Sequence, residues 1–156
     1  MSRLRQTKVR LLPRFLPSNV CGGSRMPGTS GHLLQVSLLH TVGIAGRTIL
    51  VVDDEPLILL DVAQALETAG ATVLMASNID AAMRHAEQAS LSGAVLDWVG
   101  TGLCPRLSER GLPFLFYSGR PASEFAGWHA PVVEKPAKPE EIIMALERLL
   151  YDTSST

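Results

Sequence analysis

The stretch "ILVVDDEP", residues 49–56, runs four apolar residues directly into three consecutive carboxylates and a proline. The apolar residues are continuous and rich in β-branched side chains, a pattern typical of a strand that is buried on both faces. Adjacent carboxylates repel one another, and partial burial adds a desolvation cost. The stretch therefore predicts a buried strand that ends beside a positively charged partner.

The segments that follow repeat this strand-then-helix unit. Pro56 opens a helix whose apolar residues recur at intervals of three and four, and Gly70 ends it. Further strands are predicted at residues 71–76, 93–97, 113–118 and 131–135, with helices at 79–89, in a short stretch ending near 110, and at 139–150. This alternation predicts an α/β fold, with a doubly wound, five-stranded parallel sheet covered by helices on both faces.

Polar side chains stand at the ends of four of these strands. Asp53 and Asp54 follow the first strand, Asp97 the third, Ser118 the fourth and Lys135 the fifth. In open parallel sheets, ligands bind at the carboxyl ends of the strands where the strand order reverses. We therefore expect these residues to converge on one crevice.

Each of these residues also has a simpler explanation. The first carboxylates could cap the helix that Pro56 begins, because Asp is favoured at helix starts. Asp97 could begin a turn, Ser118 could cap the next helix, and Lys135 could be an ordinary surface charge. The combination of all of them at strand ends favours a functional site.

Three carboxylates at neighbouring strand ends form an oxygen-rich site that suits Mg²⁺. A lysine opposite them can approach a phosphoryl oxygen as a point charge, and a hydroxyl can donate a further hydrogen bond. A carboxylate can itself be the nucleophile and form an acyl phosphate. The chemistry that this set predicts is phosphoryl transfer.

The segments "ILVVDDEP", "AVLDW", "FLFYSG" and "VVEKPAKPEEI" resemble the receiver domains of two-component response regulators. The resemblance covers about residues 47–151 and implies a flavodoxin-like strand order, 2-1-3-4-5. It implies that Asp97 is the phosphoacceptor and that Asp53 and Asp54 hold Mg²⁺. The backbone carbonyl of Val99, two residues beyond the phosphoacceptor, would complete the metal site.

The resemblance also assigns the remaining site residues. Ser118 matches the hydroxyl residue at the end of the fourth strand, and Lys135 matches the invariant lysine. The Lys135–Pro136 bond matches a position that is commonly cis. Val132 stands where the family often has an aromatic switch residue.

The spacing departs from the family in two places. Only 20 residues separate Asp97 from Ser118, and the segment from Ser118 to Lys135 is also short. We therefore expect shortened third and fourth helices, with no more than a turn near residues 123–126.

The resemblance implies a signalling protein rather than an enzyme, with no activity beyond its own phosphorylation and dephosphorylation. The expected donor is a histidine kinase or a histidine phosphotransfer protein, and the downstream partner is an unknown protein. We expect no DNA-binding domain after Leu150.

Two alternatives stay open: a pseudo-receiver that binds partners without phosphorylation, and a Mg²⁺-dependent phosphohydrolase of the haloacid dehalogenase type. The latter class has a D-x-D motif on its first strand, where this chain has "DDE".

Composition and charge bound the remaining possibilities. The chain has 156 residues, 46% of them hydrophobic and 19% charged. No apolar run approaches the roughly 20 residues of a membrane span, so we do not expect a membrane-embedded protein. The receiver resemblance implies a cytoplasmic protein. Its two cysteines do not have zinc-ligand spacing.

Residues 1–46 contain six basic and no acidic residues, which leaves 8 basic and 15 acidic residues for positions 47–156. We expect residues 1–46 to be a disordered basic extension, 47–151 the receiver domain and 152–156 a tail. Such an arm could bind nucleic acid or a membrane surface, or act as a targeting peptide. It could also be sequence upstream of a true start at Met26.

Overall fold

In the computed structural model, strands and helices alternate along residues 43–88 and 90–154, which are the residues that the structure describes. The strands are β1 (Thr48–Val52), β2 (Thr72–Ala76), β3 (Gly93–Leu96), β4 (Phe114–Ser118) and β5 (Val132–Glu134). The helices are α1 (Pro56–Thr68), α2 (Ile79–Gln88), α3 (Cys104–Glu109) and α4 (Pro139–Ser154), with a first 3₁₀ helix at Trp98–Leu103 and a second at Ala122–Trp128.

All five strands pair in parallel, in the order β2-β1-β3-β4-β5. This confirms the predicted doubly wound sheet and its strand order. From β1 the chain first adds β2 on one side and then crosses over to add β3 on the other. The carboxyl ends of β1 and β3 therefore flank the point where the strand order reverses, which is where such sheets bind ligands.

The sheet separates two hydrophobic layers, and β1 contributes to both. Ile49 and Val51 pack in the layer that includes α1 and α4 residues, whereas Leu50 and Val52 pack in the layer that includes residues of α2 and α3. All four side chains are buried. The apolar run is continuous, as predicted, because both faces of the strand are covered.

The third and fourth helical segments are short, as predicted, but the second 3₁₀ helix spans seven residues, more than the turn expected near residues 123–126. The first 3₁₀ helix and the six residues of α3 fill the connection from β3 to β4, and the second 3₁₀ helix fills that from β4 to β5. Phe125 of the second 3₁₀ helix is buried, with its ring centroid 4.3 Å from that of Phe116 in β4. One aromatic side chain thus covers a part of the sheet in a connection that has no α-helix.

The final helix is longer than predicted. It continues past Leu150 to Ser154, and the Thr153 hydroxyl donates a hydrogen bond to the carbonyl of Leu149. The residues that we assigned to a tail therefore extend α4, as far as the structure describes them. None of the helices described has the length and apolar composition needed to cross a membrane.

The packed domain includes residues before the predicted boundary at residue 47. Ile44 is fully buried among residues of α1 and α4, and the Gly46 N–H donates to the carbonyl of Gly70 at 2.8 Å. A single isoleucine in the stretch "GIAG", residues 43–46, gives no periodic signal, so the sequence did not reveal this contact. The rest of the predicted extension, residues 1–42, lies outside the described residues.

We expect Ile44→Ala to lower the free energy of unfolding by about 2–5 kcal/mol, because it leaves a cavity in the core. Leu57→Ala is the matched control, since the Leu57 side chain is 77% exposed and its loss should change stability little. Urea unfolding of both variants measures the difference. Equal midpoints for the two variants would contradict the packing of Ile44.

Candidate functional site

The predicted site residues meet at the carboxyl edge of the sheet. Asp53 follows β1, Asp97 follows β3, Ser118 ends β4 and Lys135 follows β5. The Lys135 Nζ lies 2.6 Å from Asp53 Oδ2 and 3.5 Å from Asp97 Oδ2. Residues that are far apart in sequence therefore form one charged cluster at the point where the strand order reverses.

Lys135 is the centre of this cluster. Its side chain is only 12% exposed and that of Asp53 only 3%, so the ion pair is largely shielded from solvent. Burial by itself lowers the pKa of Lys135, but the hydrogen bond that Lys135 donates to Asp53 and the charges of Asp53, Asp97 and Glu55 outweigh it and raise that pKa. Lys135 is thus held in its charged form. The Lys135–Pro136 bond is cis, as predicted.

The carboxylates do not act as helix caps. Glu55 occupies the N-cap position of α1, and no side chain hydrogen-bonds to the helix end there. Asp53 Oδ1 instead accepts the Glu55 N–H at 2.9 Å, which fixes its other oxygen toward Lys135. Asp97 likewise precedes the first 3₁₀ helix without capping it through its side chain. The capping explanation therefore fails for the carboxylates before α1, whereas Asp97 does begin a turn, because its carbonyl accepts the Gly100 N–H at 2.9 Å.

Asp53, Asp54 and Asp97 are arranged as a divalent cation would require. One oxygen from each lies within 4.8 Å of the others, and the three side chains range from buried Asp53 to exposed Asp54. Asp97 Oδ1 is buried and accepts no hydrogen bond from the described residues. An unpartnered buried carboxylate oxygen is costly unless a cation or donor approaches it. The cluster fits Mg²⁺, which prefers oxygen ligands and retains some water.

Val99 and Ser118, which were also predicted to belong to the site, make no ion pair with the charged cluster. Val99 lies in the first 3₁₀ helix, two residues beyond Asp97, and its carbonyl as a metal ligand stays a prediction. Ser118 is buried, and among the described residues its Oγ has one hydrogen bond, a long one of 3.4 Å that it accepts from the Arg120 N–H. The hydroxyl proton of Ser118 is therefore available to a group bound beside it.

Three residues that line the open depression above Asp97 were not among the predicted site residues: Glu55, Trp98 and Arg120. Glu55 Oε1 lies 3.7 Å from Lys135 Nζ and adds a fourth carboxylate. The Arg120 guanidinium lies over the Trp98 ring, 4.2 Å from its centroid. Their positions just after strand ends were the available signal, because loops at that edge form the binding crevice.

Solved structures of response regulator receivers have this fold. One is a receiver protein from Sinorhizobium medicae WSM419, with 29% identity, a TM-score of 0.62 and coverage of 69% of this chain and 96% of that one. Another is a CheY-like receiver domain protein from Methanospirillum hungatei JF-1, with 24% identity, a TM-score of 0.62 and coverage of 70% and 97%.

A third is a response regulator protein from Burkholderia pseudomallei with a phosphorylated aspartic acid, calcium ion and citrate, with 23% identity, a TM-score of 0.59 and coverage of 70% and 71%. The sequence matches no protein-family model and no curated protein. The described part of the chain thus has the fold of a CheY-like response regulator receiver domain.

We expect Lys135→Met to lower the free energy of unfolding by about 3–5 kcal/mol near neutral pH, because it leaves buried Asp53 and its neighbours without a cation. Lys138→Met is the matched control, since Lys138 is exposed. Urea unfolding in metal-free buffer measures both. A loss no larger than that of the control would contradict the role of Lys135.

Urea unfolding of wild type and Lys135→Met at several pH values tests how the stabilisation by Lys135 depends on pH. The stabilisation from a raised lysine pKa is complete below the ordinary value of 10.5 and is lost as the pH rises through the raised pKa. The difference in free energy of unfolding between wild type and Lys135→Met should thus be constant from about pH 7 to about pH 10 and shrink as the pH rises above 10.5.

Proposed function

We propose that this protein is a response regulator receiver that accepts a phosphoryl group on Asp97. The donor would be a phosphohistidine of a histidine kinase or a histidine phosphotransfer protein, and the signal would pass to a downstream protein by direct contact. The observation that carries the proposal is the position of Lys135 within 3.5 Å of both Asp53 and Asp97, in a depression that Ser118 also lines. The cytoplasm is the compartment that this signalling role implies.

In the proposed reaction, an oxygen of Asp97 attacks the phosphorus of the phosphohistidine. The new O–P bond forms as the P–N bond breaks, and the imidazole nitrogen keeps the electron pair of that bond. Lys135 Nζ, already within 3.5 Å of Asp97, would bind one phosphoryl oxygen, and Ser118 would donate a hydrogen bond to another. Water would later attack the phosphorus, and the O–P bond to Asp97 would break, which releases inorganic phosphate and regenerates the carboxylate.

Mg²⁺ is the proposed cofactor, held by Asp53, Asp54, Asp97 and the carbonyl of Val99. When bound, it would supply the positive charge that three carboxylates and a phosphoryl group require beyond that of Lys135. The structure of the B. pseudomallei neighbour includes a phosphorylated aspartic acid and a calcium ion, which supports this proposal.

We expect acetyl phosphate and Mg²⁺ to add one phosphoryl group to the wild type and none to Asp97→Asn. The variant should stay folded, because it removes one charge from a crowded carboxylate cluster. Asp61→Asn is the matched control, since Asp61 is exposed on α1 and outside the cluster. Intact-mass spectrometry measures all three proteins. Phosphorylation of Asp97→Asn would place the acceptor elsewhere, and an unmodified wild type would favour a pseudo-receiver.

We also expect Asp54→Ala to weaken Mg²⁺ binding and phosphorylation together, because the exposed carboxylate contributes to the metal site without pairing with Lys135. Asp80→Ala, an exposed aspartate at the start of α2, is the control. Calorimetric titration with Mg²⁺ tests the first effect and the phosphorylation rate tests the second. Wild-type Mg²⁺ affinity in Asp54→Ala would show that the metal site lies elsewhere.

A further inference from the structure

Arg120 is a second cation at the mouth of the site. It follows Ser118 by two residues and lines the same depression as Asp97, Ser118 and Lys135. Among the residues that line this depression, Arg120 and Lys135 are the two that carry a positive charge. Their environments differ, because Lys135 is buried in its ion pairs whereas the Arg120 side chain is 49% exposed.

The guanidinium of Arg120 is held by two contacts at the surface. The Cζ of Arg120 lies 4.2 Å above the centroid of the Trp98 ring, and its Nη1 lies 3.0 Å from Oε2 of Glu124. Exposed cation–π contacts and exposed ion pairs are weak, because water competes with both. Arg120 can therefore be drawn away by a stronger acceptor at modest cost.

A phosphoryl group on Asp97 would be such an acceptor. It adds about -1.5 to -2 charges and three acceptor oxygens. A guanidinium matches two of these oxygens at once, whereas the lysine ammonium acts as a single point charge. Lys135 already pairs with Asp53 at 2.6 Å, so it neutralises only part of the charge of a phosphoryl group on Asp97. A second cationic side chain would therefore stabilise that group.

We propose that Arg120 is a ligand of the phosphoryl group and that it leaves Trp98 and Glu124 when Asp97 is phosphorylated. The proposal rests on the proposed function. Its consequence reaches the second 3₁₀ helix, because Glu124 lies in that helix and neighbours Phe125, whose ring packs edge-on against Trp98 with centroids 5.8 Å apart. Phosphorylation would thus alter the exposed side of this helix and the surroundings of Trp98, while buried Phe125 keeps its place on the sheet.

The test uses beryllofluoride with Mg²⁺ as the phosphoryl mimic. The chain has two tryptophans, so Trp128→Phe makes Trp98 the sole tryptophan and is the parent protein. Fluorine NMR measures the affinity for beryllofluoride, and Trp98 emission is recorded in the same samples. We expect the emission of the parent to change on binding, because the guanidinium leaves the ring.

In the parent background, Arg120→Met should bind beryllofluoride about ten-fold more weakly, since one charge-assisted contact is lost. Its Trp98 emission should not change on binding. Arg120→Lys should recover part of the affinity through its charge. Arg106→Met is the matched control and should behave as the parent, because Arg106 is 47% exposed, pairs with Glu109 at 3.5 Å and does not line the depression.

The outcomes separate the two proposals. A parent that neither binds beryllofluoride nor is phosphorylated by acetyl phosphate overturns the proposed function and the role of Arg120 with it. A parent that is phosphorylated and binds beryllofluoride without a change in Trp98 emission overturns the role of Arg120 alone. If Arg120→Met binds beryllofluoride with the affinity of the parent, the role of Arg120 alone is likewise overturned.

Discussion

The ion pair between Lys135 and Asp53 is the contact on which the site depends. It joins the end of β5 to the end of β1 across the sheet, between residues that are 82 positions apart in sequence. Asp97 and Glu55 also lie within 4 Å of the same ammonium, so one cation serves three carboxylates. The cluster remains short of positive charge, and that shortage makes the edge of the sheet receptive to a divalent cation.

The parallel sheet makes this crowding possible. Continuous apolar strands such as β1 bury both faces, and their carboxyl ends place polar side chains side by side at one edge. The core layers above and below the sheet hold these strand ends in place, so the repulsion among the carboxylates cannot be relieved by separation.

The shortened connections place aromatic side chains and Arg120 around the mouth of the site. The second 3₁₀ helix covers the sheet with Phe125, and the ring of Trp98 packs against it from the other connection. Val132 on β5 provides no aromatic ring at the position where the resembled family often has one. The aromatic group nearest to Asp97 in the chain is Trp98, and Arg120 links it to the loop after β4.

The sequence by itself determined the strands, the helices and the polar residues at the strand ends, because apolar periodicity and turn residues are local signals. It therefore predicted the sheet and placed Asp53, Asp97, Ser118 and Lys135 at one edge. Only the tertiary structure decided that Lys135 pairs most closely with Asp53 and that Arg120 lies on Trp98. It also decided that Ile44 enters the core. Such contacts join segments with no periodic relation to one another, and the packing of the whole chain selects them.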